Sequence, residues 1–246
     1  SSFEEFEMSQ YIPVNAVHVT QCSWDYPRFS ETLAIARPYG WVFGIPLKHR
    51  CSIGYMYNKD INSLEEVKED VQAILSKYDL TPNGATSSFS FSNYRRKNNF
   101  NKNIVYNGNA SFFLEPLEAT SFSSVDNINT IAVKNWFTNS SLELSNERYH
   151  ATIDACENII MLHYAAGSSF KSDFWEYAQE RGVKCLEKAD PSFNYMLKNA
   201  KKPTGSGSYS DFFSMPSEIT TNFEGLYNNW WEGSFSQNKI GLGIEC

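Results

Sequence analysis

A chain of 246 residues, 41% of them hydrophobic, has material for one large core or two small ones. Its net charge of −7 and single short basic run, Arg95-Arg96-Lys97, leave no electrostatic footprint for nucleic acid. No apolar stretch approaches the roughly 20 residues needed to cross a bilayer, and residues 1–20 lack the charged start and apolar middle of a signal peptide, so the reading is a soluble, cytoplasmic protein with no membrane partner.

Five widely spaced cysteines (Cys22, Cys51, Cys156, Cys185, Cys246) include no C-x-x-C pair, which favours reduced thiols over a disulfide framework or a structural zinc. None of the four histidines (His18, His49, His150, His163) stands at metal-ligand spacing, and no metal is expected. Aromatic residues make up 15% of the chain, a supply suited to lining a pocket for a flat ligand, although core packing could use most of them.

In chain order, Phe3 to Glu7 gives no clear fold signal, and Val14 to Val19 alternates as a half-buried strand does. Three β-rich runs follow, Thr32 to Arg37, Trp41 to Leu47 and Ser52 to Tyr57, and the short turns between them predict an antiparallel meander. Pro46 marks an edge or the end of the second strand. Ser63-Leu64-Glu65-Glu66 is a capping box, and Leu64, Val67, Val71, Ile74, Leu75 and Tyr78 follow at helical spacing until Thr81-Pro82-Asn83-Gly84 stops the helix. Phe89 and Phe91 alternate with serines as in another strand, and Ile104-Val105-Tyr106 is a short β-rich run ending at Asn107-Gly108-Asn109.

Beyond residue 122 the character is helical: Val125 to Phe137 with Ser123-Ser124 as its cap, Arg148 to Tyr164, and Asp173 to Arg181. Lys201 to Ser210 is a Pro, Gly and Ser-rich loop. The expected class is α+β: an antiparallel-sheet portion with one helix over 1–122, then a helical portion over 123–246.

Between the two lies Phe112-Phe113-Leu114-Glu115-Pro116-Leu117-Glu118-Ala119-Thr120-Ser121, where two carboxylates flank a proline as a strand gives way to a helix. Unpaired backbone N–H groups in such a turn can hold an anion, and Glu118 would stand beside it as a base. The alternative is a solvated pair of glutamates around a turn-forming proline.

Several of these stretches together resemble the flavin-dependent halogenases of the tryptophan halogenase type. Gly40-Trp41-Val42-Phe43-Gly44-Ile45-Pro46-Leu47 is similar to that family's W-x-W-x-I-P signature. Gly54-Tyr55-Met56-Tyr57, Tyr94-Arg95-Arg96, Phe113-Leu114-Glu115-Pro116-Leu117-Glu118-Ala119-Thr120, Leu162-His163-Tyr164 and Phe174-Trp175 follow in the family's order. The resemblance implies the C-terminal part of a flavin-monooxygenase-like fold. It also implies an enzyme that halogenates an electron-rich aromatic substrate using oxygen, a halide and reduced FAD supplied by a separate, transiently bound reductase.

By that resemblance Glu118 is the catalytic base beside the substrate, and Thr120 and Ser121 hold the halide through their backbone. Trp41, Phe43, Ile45 and Pro46 lie on the flavin side of a tunnel, and Trp230 and Trp231 sandwich the aromatic substrate. Four departures bear on this. Phe43 replaces the signature's second Trp; Ala119 replaces a serine; Ser121 replaces a glycine that would permit the positive φ serine resists; and Leu226 falls near the carboxylate that grips the amine of free tryptophan, with Glu224 close by, which points to a less polar indole or phenol.

No G-x-G-x-x-G opens a βαβ unit, and no position matches the family's catalytic lysine. The reading is therefore a C-terminal portion that is inactive alone, with a homo-oligomer left open. The competing readings are a hydroxylating FAD-dependent monooxygenase, kept open by Phe43, and a non-catalytic aromatic-binding module that has lost the flavin half.

Overall fold

The computed structural model describes residues 3–199, 238–239 and 242–244, apart from the side chains of Phe3, Glu118, Ser192, Met196 and Asn199. In chain order, a 3-10 turn (Phe3–Glu5) and β1 (Phe6–Met8) precede β2 (Ala16–Ser23), β3 (Leu33–Arg37), β4 (Gly40–Leu47) and β5 (Arg50–Tyr57). Helix α1 (Leu64–Lys77) is followed by β6 (Thr81–Ser90), β7 (Tyr94–Arg96), β8 (Phe100–Asn101), β9 (Ile104–Val105) and β10 (Phe112–Phe113). Then come α2 (Thr120–Thr138), α3 (Leu142–Ala166), α4 (Asp173–Leu186) and α5 (Pro191–Asn199). The α+β class and the passage from strands to helices are as expected. By spatial contact the chain divides into two units assembled from separated segments: Pro13–Ser92 with Gly167–Arg181, and Ser1–Ile12 with Asn93–Ala166 and Gly182–Cys246.

The unit containing Pro13–Ser92 is built on a five-stranded antiparallel sheet in the order β3-β4-β5-β2-β6. Side chains alternate along each strand, so Ala16 and Cys22 of β2, Val42 of β4 and Cys51, Ile53, Tyr55 and Tyr57 of β5 share one face. Helix α1 covers that face with Val67, Val71, Ile74 and Leu75, spaced i, i+4, i+7, i+8. Burying each such side chain is worth roughly 1.5–3 kcal/mol. The capping box forms as read: Ser63 Oγ accepts from the Glu66 N–H at 3.3 Å and Glu66 returns a bond to the Ser63 N–H at 2.8 Å. The helix ends at Lys77 with Tyr78 as its C-cap and a left-handed Asp79 (φ 50°) after it, while Thr81 to Gly84, expected as its stop, belong to β6. Pro46 is explained by the register: β3 pairs only as far as Gly44, so Ile45–Leu47 borders β5 alone and the missing N–H costs no ladder bond on the other side.

The helix-covered face also carries polar clasps. Arg37 forks onto Asp70 of α1, Nε to Oδ2 at 2.8 Å and Nη2 to Oδ1 at 2.5 Å, and the Tyr55 hydroxyl donates to Asp70 Oδ2 at 2.8 Å. Asp70 holds the Arg37 pKa above its ordinary value, while burial first, and then Asp70, push the Tyr55 phenol up. His18 is buried between Ser88 Oγ (2.8 Å) and Thr20 Oγ1 (3.4 Å), and burial with nearby Lys68 depresses its pKa. From the returning segment of the chain, Trp175 Nε1 donates to the Arg37 carbonyl at 2.7 Å and Ser172 Oγ to the Pro38 carbonyl at 2.5 Å.

In the other unit, β1 and β10 flank β7 in a small antiparallel sheet. Phe3 to Met8, silent in the sequence, is ordered by this distant pairing. The two arginines of the basic run are paired internally: Arg95 binds Glu7 and Asp154, and Arg96 binds Glu5 while its guanidinium lies 4.6 Å from the Phe6 ring centroid and 3.7 Å from that of Tyr106. Helix α3 packs on α2 and on a cluster containing Phe193 and Leu197 of α5 with Leu242 and Ile244. The four described cysteines are buried and form no disulfide, and no described helix is long and apolar enough to cross a membrane.

Candidate functional site

The central segment is shaped residue by residue. Phe112 and Phe113 pair with Arg95 and Tyr94, and the ladder ends there. Pro116, with no N–H to donate and φ −79°, turns the chain into a 3-10 turn over Leu117–Ala119, closed by the Ala119 N–H donating to the Pro116 carbonyl at 3.0 Å. Ala119 itself is left-handed (φ 50°, ψ 34°), a conformation that costs a residue with a Cβ roughly 1–3 kcal/mol.

Helix α2 then begins at Thr120 with no side-chain cap on its first turn. Ser123 and Ser124, expected to cap it from outside, are instead inside it. Their hydroxyls donate back to the Thr120 carbonyl at 3.0 and 2.8 Å. The strain expected at Ser121 is absent: Ser121 is helical, and the positive φ falls two residues earlier. Thr120 is buried and Ser121 exposed. The start of an uncapped helix presents N–H groups and the positive end of the helix dipole.

Glu115 is the residue that sequence reasoning undervalued. It is fully buried, not solvated, and the hydroxyl of Tyr164, itself buried on α3, donates to its Oε2 at 2.8 Å. Four residues upstream, the Ser111 carbonyl accepts from Tyr149 of the same helix at 3.0 Å, and that phenol also accepts the Arg96 N–H at 3.1 Å. Burial pushes the Tyr149 hydroxyl pKa up, keeping it a donor. Helix α3 thus grips the segment on both sides of β10. Glu118 sits on the 3-10 turn, and its side chain lies outside the described residues.

The signature strand β4 belongs to the other unit. Trp41, Phe43 and Ile45 project from the sheet face opposite α1, running from buried through half-buried to exposed, and Pro46 is half-buried. The Trp41 and Phe43 rings stand 6.1 Å apart at 59°. Phe43 lies across Gly54, its register partner, so closely that a Cβ on Gly54 would fall 2.0 Å from Phe43 Cζ. Trp230, Trp231, Leu226 and Glu224 lie outside the described residues.

A cleft of about 550 Å³ lined by residues including Lys97, Asn146 and His150 draws on none of the residues read as functional. Among the described residues, no group of His, Cys, Asp and Glu could hold a metal ion. No described glycine stands between a strand and the α-helix that follows it, so these residues offer no cradle for the diphosphate of a dinucleotide.

Comparison with known proteins gives the site its context. The chain is 26% identical over 157 residues to the 7-chloro-L-tryptophan 6-halogenase KtzR of Kutzneria sp. (strain 744), an alignment covering 61% of this chain and 30% of that protein. Among solved structures, the tryptophan C-6 flavin-dependent halogenase Tar14 from taromycin biosynthesis superposes with a TM-score of 0.70 at 20% identity, over 98% of this chain and 45% of its own. BrvH, a flavin-dependent halogenase from Brevundimonas sp. BAL3, gives 0.62 at 21%, over 96% and 50%. At such identities the structural likeness speaks for the fold, and the chain spans a third to a half of the length of these relatives. A model of the tryptophan halogenase family matches residues 3–228, and the chain belongs to that family.

Proposed function

We propose that this chain forms the substrate and halide side of an aryl halogenase acting on an indole-like or phenol-like compound, with reduced FAD from a separate flavin reductase as the oxygen-activating cofactor. The observation that carries the reading is the turn from Leu117 to Ser121. The left-handed Ala119 joins a 3-10 turn bearing Glu118 directly to the uncapped start of α2, so a carboxylate and the N–H groups of Thr120 and Ser121 occupy one short stretch.

In this role Glu118 stabilises the cationic ring formed when the electrophilic halogen adds, and then accepts the proton that leaves the same carbon. The helix start holds the halide. Trp41, Phe43, Ile45 and Pro46 supply the apolar surface toward the cofactor, and Trp230 and Trp231 stack on the substrate. Recognition of the cofactor's diphosphate falls outside the described residues. The apolar Leu226 cannot pair with an ammonium, which favours a substrate less polar than free tryptophan.

The test is turnover of indoles and phenols by the intact protein, with this chain joined to a flavin-binding half, given FAD, a flavin reductase, oxygen and bromide and read by the isotope pattern of added halogen. In that intact protein Glu118→Gln should abolish halogenation while leaving FAD bound. Bromide-independent hydroxylation, or aromatic binding without any turnover, would replace this reading with a monooxygenase or a binding module.

A further inference from the structure

We infer that Tyr164 and Glu115 are a positioning pair for the turn that carries Glu118 and the halide-facing N–H groups, an inference that rests on the proposed function. Local preference alone does not order the turn. It is only three residues long, it has no side-chain cap at its helical end, and it contains a left-handed Ala119 that must be held in place by something stronger than its own preference.

What holds it is α3. Glu115 immediately precedes Pro116, which opens the turn, and its side chain is fully buried, with Leu114 and Leu117 buried on either side. A carboxyl group is put in such surroundings only where its hydrogen bonds compensate for lost water. The Tyr164 hydroxyl supplies one at 2.8 Å from a side chain that is itself buried and fixed on a long helix. The Tyr149 bond to the Ser111 carbonyl secures the upstream end of the same segment. Between Pro116 and Ser121 the Ala119 N–H closes on the Pro116 carbonyl at 3.0 Å and the Thr120 carbonyl accepts from Ser123 and Ser124, bonds that stay within the turn and α2. Among the described side chains, the Tyr164 to Glu115 bond joins α3 to the residue just before the turn.

Removing the Tyr164 hydroxyl should leave the core packed and free the turn. In Tyr164→Phe, hydrogen exchange of the amides from Leu117 to Ser121, Ala119 above all, should accelerate by about tenfold or more, the loss expected of a buried hydrogen bond to a carboxyl group. Exchange within α1 should stay as it is. Glu115→Gln keeps an acceptor for the phenol and should retain the slow exchange, whereas Glu115→Leu should lose it. In the halogenation assay Tyr164→Phe should lower kcat by about tenfold to a hundredfold at nearly unchanged KM for the aromatic substrate, the signature of a misplaced reacting group.

Unchanged exchange at the turn in Tyr164→Phe, or acceleration spread evenly over the chain, overturns the positioning role and leaves a merely structural bond. Absence of halogenation by the intact protein, in which this chain is joined to a flavin-binding half, counts against the function, and the exchange pattern distinguishes the two failures.

Discussion

Asp70→Ala breaks the clasp between α1 and β3, and the structure sets the size of the loss. Asp70 and Arg37 side chains are only 14% and 18% exposed, so the fork between them is largely shielded from solvent screening. Truncating Asp70 leaves the Arg37 guanidinium half-buried beside the Phe170 ring, 5.7 Å away, and the Tyr55 hydroxyl, with no carboxylate to balance its charge, and it removes the acceptor of that fully buried hydroxyl. Breaking one partner of a buried pair costs about 3–5 kcal/mol, a large part of the 5–15 kcal/mol that holds a typical domain folded. At about 2–4 °C per kcal/mol for a chain of this size, the melting temperature should fall by roughly 6–20 °C.

Thermal unfolding followed by circular dichroism measures it, and a second variant identifies the cause. If the loss is chiefly the penalty of an abandoned charge, Arg37→Met combined with Asp70→Leu should recover a substantial part of it, because two packed apolar side chains need no compensation. A shift of less than about 1 °C in Asp70→Ala would refute the reasoning and make the pair equivalent to a surface ion pair. A double variant no better than the single one would locate the effect in the Tyr55 hydroxyl instead.

Two further outcomes are expected. Burial, together with Asp154 and Glu7 and against the Ser9 hydrogen bond and Arg95, raises the pKa of Glu157, so the folded chain binds that proton more tightly than the unfolded one. Stability from this group is fully present below the unfolded value of about 4.3 and is lost as pH rises through the folded value; Glu157→Gln should therefore raise the melting temperature at pH 7 and have little effect at pH 4, and an equal effect at both would refute the assignment. Gly54→Ala should destabilise by about 1–3 kcal/mol because its Cβ meets the Phe43 ring at 2.0 Å, and Phe43→Leu should relieve it; Gly40→Ala, whose Cβ would fall 1.9 Å from the Met56 carbonyl oxygen, should find no such relief in any side-chain change, and urea titration separates the two.

What was legible in the sequence was what short-range chemistry controls. The capping box, the helical spacing from Leu64 to Tyr78 and the turns Pro38-Tyr39-Gly40 and Lys48-His49-Arg50 act within a few residues, and each element formed where read. Phe6 to Met8 failed to register because a three-residue strand has no pattern of its own and exists only through pairing with Tyr94 to Arg96. Helix α2 was recognised but started late in the reading. Ser123 and Ser124 look like caps, and nothing local says that Ala119 will turn left-handed and start the helix at Thr120.

The same helix misleads on burial, since Phe122, Trp136 and Phe137 are all more than four-fifths exposed and the apolar residues do not form one inward stripe. At the site, the family motif drew attention to Glu118. The burial of Glu115 depends on Tyr164, 49 residues away, and no spacing rule connects them.

The interleaved course of the chain also sets a timetable. Phe6 must wait for Arg96, ninety residues later, before β1 has a neighbour, which at about 5–20 residues per second is roughly 5–18 s of synthesis. Residues 167–181 return to the first-completed sheet only after α3 has emerged, and the boundary between the units then falls inside α4. Neither unit can be cut out with a single pair of cloning ends, and any dissection of this protein has to splice segments together or sever that helix.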